Sequence, residues 1–294
     1  MRVKAALAQH TGTSDPATAR DKLQQAAARA AAQDCTLLVL QELHNHLYFC
    51  QHQDPACFAL AEPIPGPATE FLGELAAANE LVLVGSVFEQ AMPGLYYNTA
   101  VVVDSDGRLA GTYRKMHIPD DPGYQEKYYF TPGDGGFAPV KTSIGRLGVL
   151  VCWDQWFPEA ARLMALAGAE LLIYPTAIGW EPQDPPAEQQ RQLDAWVTIQ
   201  RSHAIANALP VLCCNRTGTE QPAPGRSIRF WGNSFVTDSF GSLLAQAPAD
   251  DECLLVCDLD LATIPQTRTT WPFLRDRRID AYQGLLLRTA EQPK

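Results

Sequence analysis

Five short apolar runs constrain this chain more than anything else in it: TLLVLQE (36–42), LVLVGSVFE (81–89), RLGVLVCWD (146–154), ELLIYPTA (170–177) and LPVLCCNRTG (209–218). Each is too short for a core helix and rich in leucine and valine, as expected of strands buried on both faces. Stretches of helical period alternate with them. Ser14-Asp15-Pro16 is a helix start, and Ala19, Leu23, Ala26, Ala27 and Ala30 recur behind it at helical spacing. TEFLGELAAANE (69–80) is a second helix, a third runs from about Pro158 to Ala169, and a long one covers about Ala187 to Ala208. Strands alternating with amphipathic helices make an α/β protein.

NTAVVVDSDGRLAGTYRK (98–115) breaks the alternation as a hairpin turning at Asp106-Gly107. IRFWGNSFVTDSFGSLLAQA (228–247) and CLLVCDLDL (253–261) complete the β portion, and QPAPG (221–225) reads as a surface loop. No Ser/Gly-rich linker interrupts the pattern, which predicts one domain over residues 1–263 and a C-terminal tail over 264–294, packing on the domain or on a neighbouring subunit.

The net charge of −10 and pI near 5.0 exclude an anionic nucleic-acid or membrane surface as a natural partner and suit a small cationic ligand. No apolar run reaches the roughly 20 residues of a membrane span. The opening MRVKAALAQHTG enters a strand-like alternation without the long apolar stretch of a signal peptide. The eight cysteines are scattered, several inside apolar runs, which fits reduced thiols in a cytoplasmic protein.

Three strands end in a residue able to do chemistry: Glu42 after TLLVLQ, Lys115 after RLAGTYR and Cys152 after RLGVLV. Strand tips of an α/β sheet are rigid platforms beside free loops, where ligands bind. A thiol attacks only as thiolate, and a nearby cation and the start of a helix at PEAAR favour that form. Lys115 supplies the cation, and Glu42 is placed to take the proton and later to activate water. A rival reading, of a zinc hydrolase, takes His44, His46, Cys50 and His52 as ligands, but that spacing is a loose fit to known zinc patterns. No metal and no organic cofactor is expected.

LVLQEL, YRKMHIP and LGVLVCWDQWFPEAAR, in this order, resemble the Glu, Lys and Cys signatures of the nitrilase superfamily of carbon–nitrogen hydrolases. The resemblance runs from the first strand to about residue 260. It implies a four-layer α-β-β-α sandwich that associates into homo-oligomers. It also implies Glu42 as general base, Lys115 as the cation stabilising a tetrahedral intermediate, Cys152 as nucleophile and, through EKYYFTPGD, Glu126 as a second active-site glutamate. Within the superfamily the motifs look like the subgroup that hydrolyses N-carbamoylputrescine to putrescine, CO2 and ammonia, a step of polyamine synthesis from arginine through agmatine. Relatives that act on N-carbamoyl D-amino acids carry an arginine pair after the cysteine; here those positions are Gln155 and Trp156. A broader amidase or a hydrolase of N-carbamoyl amino acids or β-ureidopropionate is the alternative within the family. For a cationic tail, IGWEPQD offers Trp180, Glu181 and Asp184, with Trp153 and Tyr48 as further candidate pocket residues. His117 is a candidate for orienting Lys115 or Glu126, but a histidine in such a loop is more often a structural hydrogen-bond donor, and that is the reading preferred for it.

Overall fold

The computed structural model describes residues 2–181, 183–223 and 225–290. Two six-stranded sheets form its centre. Edge to edge, the first runs Cys253–Asp260, Arg2–Gln9, Leu37–Leu40, Val82–Met92, Leu95–Val103 and Leu109–Arg114. The second runs Leu243–Gln246, Phe235–Thr237, Val211–Cys214, Leu171–Pro175, Gly145–Val149 and Val140–Thr142.

Side-chain alternation along the strands explains how these sheets stack. In Arg2–Gln9, Val3, Ala5 and Leu7 join Leu147, Val149 and Leu171 of the second sheet in one core, while Ala6 and Ala8 join a separate core on the outer face. That outer core is closed by helices α1 (Pro16–Ala31) and α2 (Pro67–Asn79), through Leu23, Ala27 and Ala30 of the first and Phe71, Leu72 and Leu75 of the second. Asp15 caps α1 by accepting from the Ala17 and Thr18 amides, so the helix begins where the sequence places it. Helices α3 (Pro158–Leu166) and α4 (Pro186–Asn207) pack together through Ala160, Ala161, Met164, Trp196 and Ala204 into the core of the second sheet. The result is the expected α-β-β-α sandwich.

QPAPG is not a free loop: Thr219–Ala223 is a strand, paired with Arg226–Phe230, which pairs in turn with Gly179–Trp180. The proline at position 222 is tolerated because Thr219–Ala223 is an edge strand; Pro224 lies outside the described residues. Helix α5 (Ile264–Thr270) buries Ile264, but beyond it Trp271, Phe273, Ile279 and Leu285 to Leu287 are exposed. Residues 291–294 lie outside the described part.

Three strands of each sheet run parallel: Arg2–Gln9, Leu37–Leu40 and Val82–Met92 in one, Gly145–Val149, Leu171–Pro175 and Val211–Cys214 in the other. Two antiparallel steps bring Leu109–Arg114 back to the direction of Val82–Met92. Glu42 and Lys115 therefore leave the first sheet by the same end. The Glu42 amide donates to the Thr176 carbonyl at 3.3 Å, joining that end to the strand tips of the second sheet.

Candidate active site

Glu42, Lys115 and Glu126 are each fully buried, although all three are ionisable. Burial of an unpaired charge costs several kcal/mol, so these groups persist only by pairing. Lys115 Nζ donates to Glu42 Oε1 at 2.8 Å and to Glu126 Oε2 at 2.6 Å. Asn98 Nδ2 donates to Glu42 Oε1 at 2.7 Å, and the Tyr48 hydroxyl donates to Glu126 Oε1 at 2.6 Å. Among the described residues, only Glu42 Oε2 of the four carboxylate oxygens has no hydrogen-bond partner. Two of the three N–H bonds of the ammonium are thus committed, and among the described residues the third has no acceptor.

Cys152 begins a short 3₁₀ turn, Cys152–Trp156, separated by Leu150 and Val151 from the end of the strand Gly145–Val149. Its φ is +43°, in the left-handed region that costs a non-glycine residue about 1–2 kcal/mol. Asp154 holds the turn by accepting from the Val151 amide at 2.9 Å, from the His117 amide at 3.0 Å, from His117 Nδ1 at 2.7 Å and from the Tyr113 hydroxyl at 2.9 Å. The turn that carries the cysteine is therefore fastened to the segment that carries Lys115. His117 serves this junction and stacks on Phe157 at 3.7 Å; the hydrogen bonds of Glu126 and of the Lys115 ammonium go to other partners. The sulfur is almost completely buried and lies 3.8 Å from the Ala177 carbonyl.

Electrostatics set the resting protonation. Burial pushes the Cys152 thiol well up, the Glu42 carboxylate pushes it further, and Lys115 opposes both. Burial alone would lower the Lys115 ammonium, but the charges of Glu126 and Glu42 outweigh it and hold the amine protonated. Burial raises Glu126 to about 7, with Lys115 pulling it down and Glu42 pushing it up. Cys50 is also buried and is held as thiol by burial and by the charges of Glu126 and Glu42.

The residues that follow Cys152 and Ala177 open onto a cleft of about 390 Å³, lined by Trp153, Ile178, Tyr124, Trp231 and the acids Asp121, Glu181 and Asp184. Arg191 on α4 also reaches this cleft, its guanidinium paired with Glu188 at 2.8 Å. Of the residues the sequence offers for a pocket, Trp153, Glu181 and Asp184 line this cleft. Trp180 does not line the cleft: it packs on Trp231, is covered by Arg229, and spends its indole N–H on the Gln189 carbonyl. Tyr48 is fully buried behind Glu126 and holds that carboxyl instead of facing the cleft. Among the described residues no three His, Cys, Asp or Glu side chains converge as metal ligands, so the cluster from His44 to His52 has no metal-binding geometry. No described helix is long and apolar enough to cross a membrane.

Asn98, Asp154, Arg216 and Glu220 complete the site's surroundings without having stood out in the sequence. The signal for Asn98 is an amide side chain in the middle of a largely apolar strand, LYYNTAVVV, and the signal for Asp154 is an acid two positions beyond the cysteine.

Comparison with known proteins gives the family. A carbon–nitrogen hydrolase family model matches residues 4–269. The chain is 45% identical over 270 residues to an N-carbamoylputrescine amidase of Solanum lycopersicum, covering 90% of this chain and 89% of that one. It is 40% identical over 285 residues to a citrullinase of Francisella tularensis subsp. tularensis, covering 97% and 98%. The crystal structure of a carbon–nitrogen hydrolase from Helicobacter pylori G27 superposes with a TM-score of 0.95 at 47% identity, over 98% of this chain and 99% of that one. With its sandwich fold and its buried Glu, Lys and Cys strand tips, this chain belongs to the carbon–nitrogen hydrolase family.

Proposed function

We propose that the protein hydrolyses N-carbamoylputrescine to putrescine, CO2 and ammonia, within polyamine synthesis from arginine through agmatine, with Cys152 as nucleophile, Glu42 as general base and Lys115 as electrostatic stabiliser. The observation that carries the reading is the division of labour in the buried cluster: Glu42 Oε2 is unpartnered and free to accept a proton, while one Lys115 N–H is free to donate. In the first step the thiol proton passes to Glu42 as sulfur bonds to the carbamoyl carbon. The oxyanion is received by Lys115 and the Trp153 backbone N–H, donors of a kind worth a few kcal/mol each. Glu42 returns the proton to the departing nitrogen, the C–N bond breaks, and ammonia leaves a thiocarbamate on Cys152. Water, deprotonated by Glu42, attacks that carbon and expels the thiolate, which is reprotonated. The released carbamate loses CO2 to give putrescine. Glu126 holds Lys115 in place, and neither metal nor organic cofactor enters a step.

The cleft acids support a cationic tail. Asp121, Glu181 and Asp184 supply negative charge around Trp153, and the single cation, Arg191, is already paired with Glu188. Arg191 and the citrullinase relative favour one second reading, hydrolysis of citrulline, the same carbamoyl group on a tail that adds an α-carboxylate. Ammonia release measured with N-carbamoylputrescine, citrulline, N-carbamoyl-β-alanine and ω-amides separates these readings. The highest kcat/KM on N-carbamoylputrescine supports the first, and the highest on citrulline replaces it. The same reading takes the protein as a cytoplasmic homo-oligomer. Exposed Leu163 and Leu166 on α3, Ile205 on α4 and the apolar side chains after Thr270 support contact between copies. Light scattering of the full chain and of one ending at residue 263 tests both the assembly and the tail's part in it.

A further inference from the structure

Arg216 is fully buried, and its guanidinium is divided between one carboxylate, that of Glu220, and the backbone at Glu42 and Leu43. Nη2 donates to the Glu42 carbonyl at 2.9 Å and to the Leu43 carbonyl at 2.6 Å, Nε lies 3.3 Å from the same Glu42 oxygen, and Nη1 donates to Glu220 Oε1 at 2.7 Å. Glu220 in turn receives the Gly12 amide at 3.1 Å on Oε1 and the Tyr48 amide at 2.6 Å on Oε2. Tyr48 is the residue whose hydroxyl holds Glu126. One buried ion pair therefore grips the backbone under Glu42 and the backbone of the tyrosine that orients Glu126.

The backbone it grips needs holding. Leu43, directly after Glu42, has a φ of +47°, unfavourable for a branched side chain, and its amide is held by the Ser86 hydroxyl at 2.7 Å. The strand has ended, so neither carbonyl has a ladder partner: the Leu43 oxygen accepts from the His46 amide at 3.1 Å as well as from Arg216, while the Glu42 oxygen is held by Arg216; a forked, always-charged donor reaches both at once, which a lysine with its single nitrogen does less well. Space around the pair is also exhausted. A Cβ at Gly12 would stand 2.2 Å from Glu220 Oε1 and 2.6 Å from Arg216 Nη1.

We propose that Arg216 and Glu220 are positioning residues for the reaction: a buried clasp, sealed by Gly12, that sets the aim of the Glu42 and Glu126 carboxylates. The proposal rests on the assignment of Glu42 and Glu126 given above. The reach of Glu42 Oε2 to the thiol depends on where its main chain is pinned, and misplacement of a catalytic group by about 1 Å costs roughly 100-fold in rate.

The test compares Glu220→Gln, Gly12→Ala, Arg216→Lys and Arg216→Met in the full-length enzyme, with kcat and KM for N-carbamoylputrescine and with melting curves. Glu42→Gln is carried alongside. The clasp predicts kcat lowered about tenfold or more in Glu220→Gln and Gly12→Ala while KM stays within about twofold, with Arg216→Lys recovering part of what Arg216→Met loses. Should the arginine variants fail to fold, Glu220→Gln and Gly12→Ala decide alone. Either of these two folded and turning over within about twofold of the parent enzyme overturns the clasp. If Glu42→Gln itself keeps parental turnover, the base assignment is what fails, whereas a dead Glu42→Gln beside unaffected Gly12→Ala and Glu220→Gln removes only the clasp.

Discussion

His117 donates from both its backbone amide, at 3.0 Å, and its ring Nδ1, at 2.7 Å, to Oδ1 of Asp154. Since a carboxylate only accepts, the ring proton resides on Nδ1. Each partner sits two positions beyond a reactive residue, His117 after Lys115 and Asp154 after Cys152, so this contact sets the spacing of ammonium and sulfur. Asp154→Asn presents an amide that cannot accept on both sides, leaving buried donors unpaired at about 1–3 kcal/mol each. Chemical denaturation is expected to show a loss in that range, and kcat to fall at least tenfold. An unchanged midpoint and rate would dismiss the junction.

Cys152→Ser keeps the volume and the turn but replaces the proposed nucleophile with a hydroxyl that Glu42 cannot ionise. Turnover is expected to drop by at least about 10⁴-fold with the melting temperature nearly unchanged. Residual ammonia release near the parental rate would transfer the nucleophile's role to another group.

Replacing Glu181 by Gln and Asp184 by Asn probes the cleft. Each is expected to raise KM for N-carbamoylputrescine about tenfold, the size of one charge-assisted hydrogen bond of about 1.5 kcal/mol, and to leave kcat largely intact. An unaltered KM in both would place the amine of the substrate elsewhere.

Acid should unfold this protein through its histidines. Burial lowers His10 to about 4, His44 to about 3 and His46 to about 4, so all three are neutral in the folded chain. The unfolded chain takes up those protons near pH 6.5, so stability is full above that pH and is lost as pH falls toward 4. Glu126, raised to about 7, works in the opposite sense, its contribution being largest below pH 4.5 and fading as pH rises to 7. Three histidines outweigh one carboxyl. Urea midpoints are expected to fall steadily from pH 6.5 to 4.5, and less steeply in His46→Gln; a midpoint that rises on acidification refutes this account.

Prolonged treatment with a strong chelator should leave turnover unchanged, because His44, His46, Cys50 and His52 do not converge. Activity lost on chelation and restored by zinc would reopen the metal reading.

The strands and the reactive residues at their tips were legible because burial on both faces writes uninterrupted apolar runs, and a charged residue ending such a run is conspicuous. Glu42, Lys115 and Cys152 stand out in the sequence for this reason. What could not be read were groups that meet only in three dimensions. Asn98 reaches Glu42 from 56 residues away, and Arg216 reaches the Glu42 carbonyl from 174. Trp180 misled because an indole beside two acids suggests a cation pocket, whereas a hydrogen bond to Gln189 and a neighbouring tryptophan draw it inward. QPAPG misled because its prolines mask a strand that only an edge position permits.

The two sheets contribute unequally to the cluster: Glu42 and Lys115 extend from the first, Cys152 from the second. Neither sheet alone contains both the proposed nucleophile and the base and cation proposed to activate it. A chain that has formed one layer but has not closed it against the other is therefore chemically silent, and its cysteine stays an ordinary thiol until the layers meet. During refolding, the return of hydrolysis would be a clock for that closure, separate from the recovery of secondary structure.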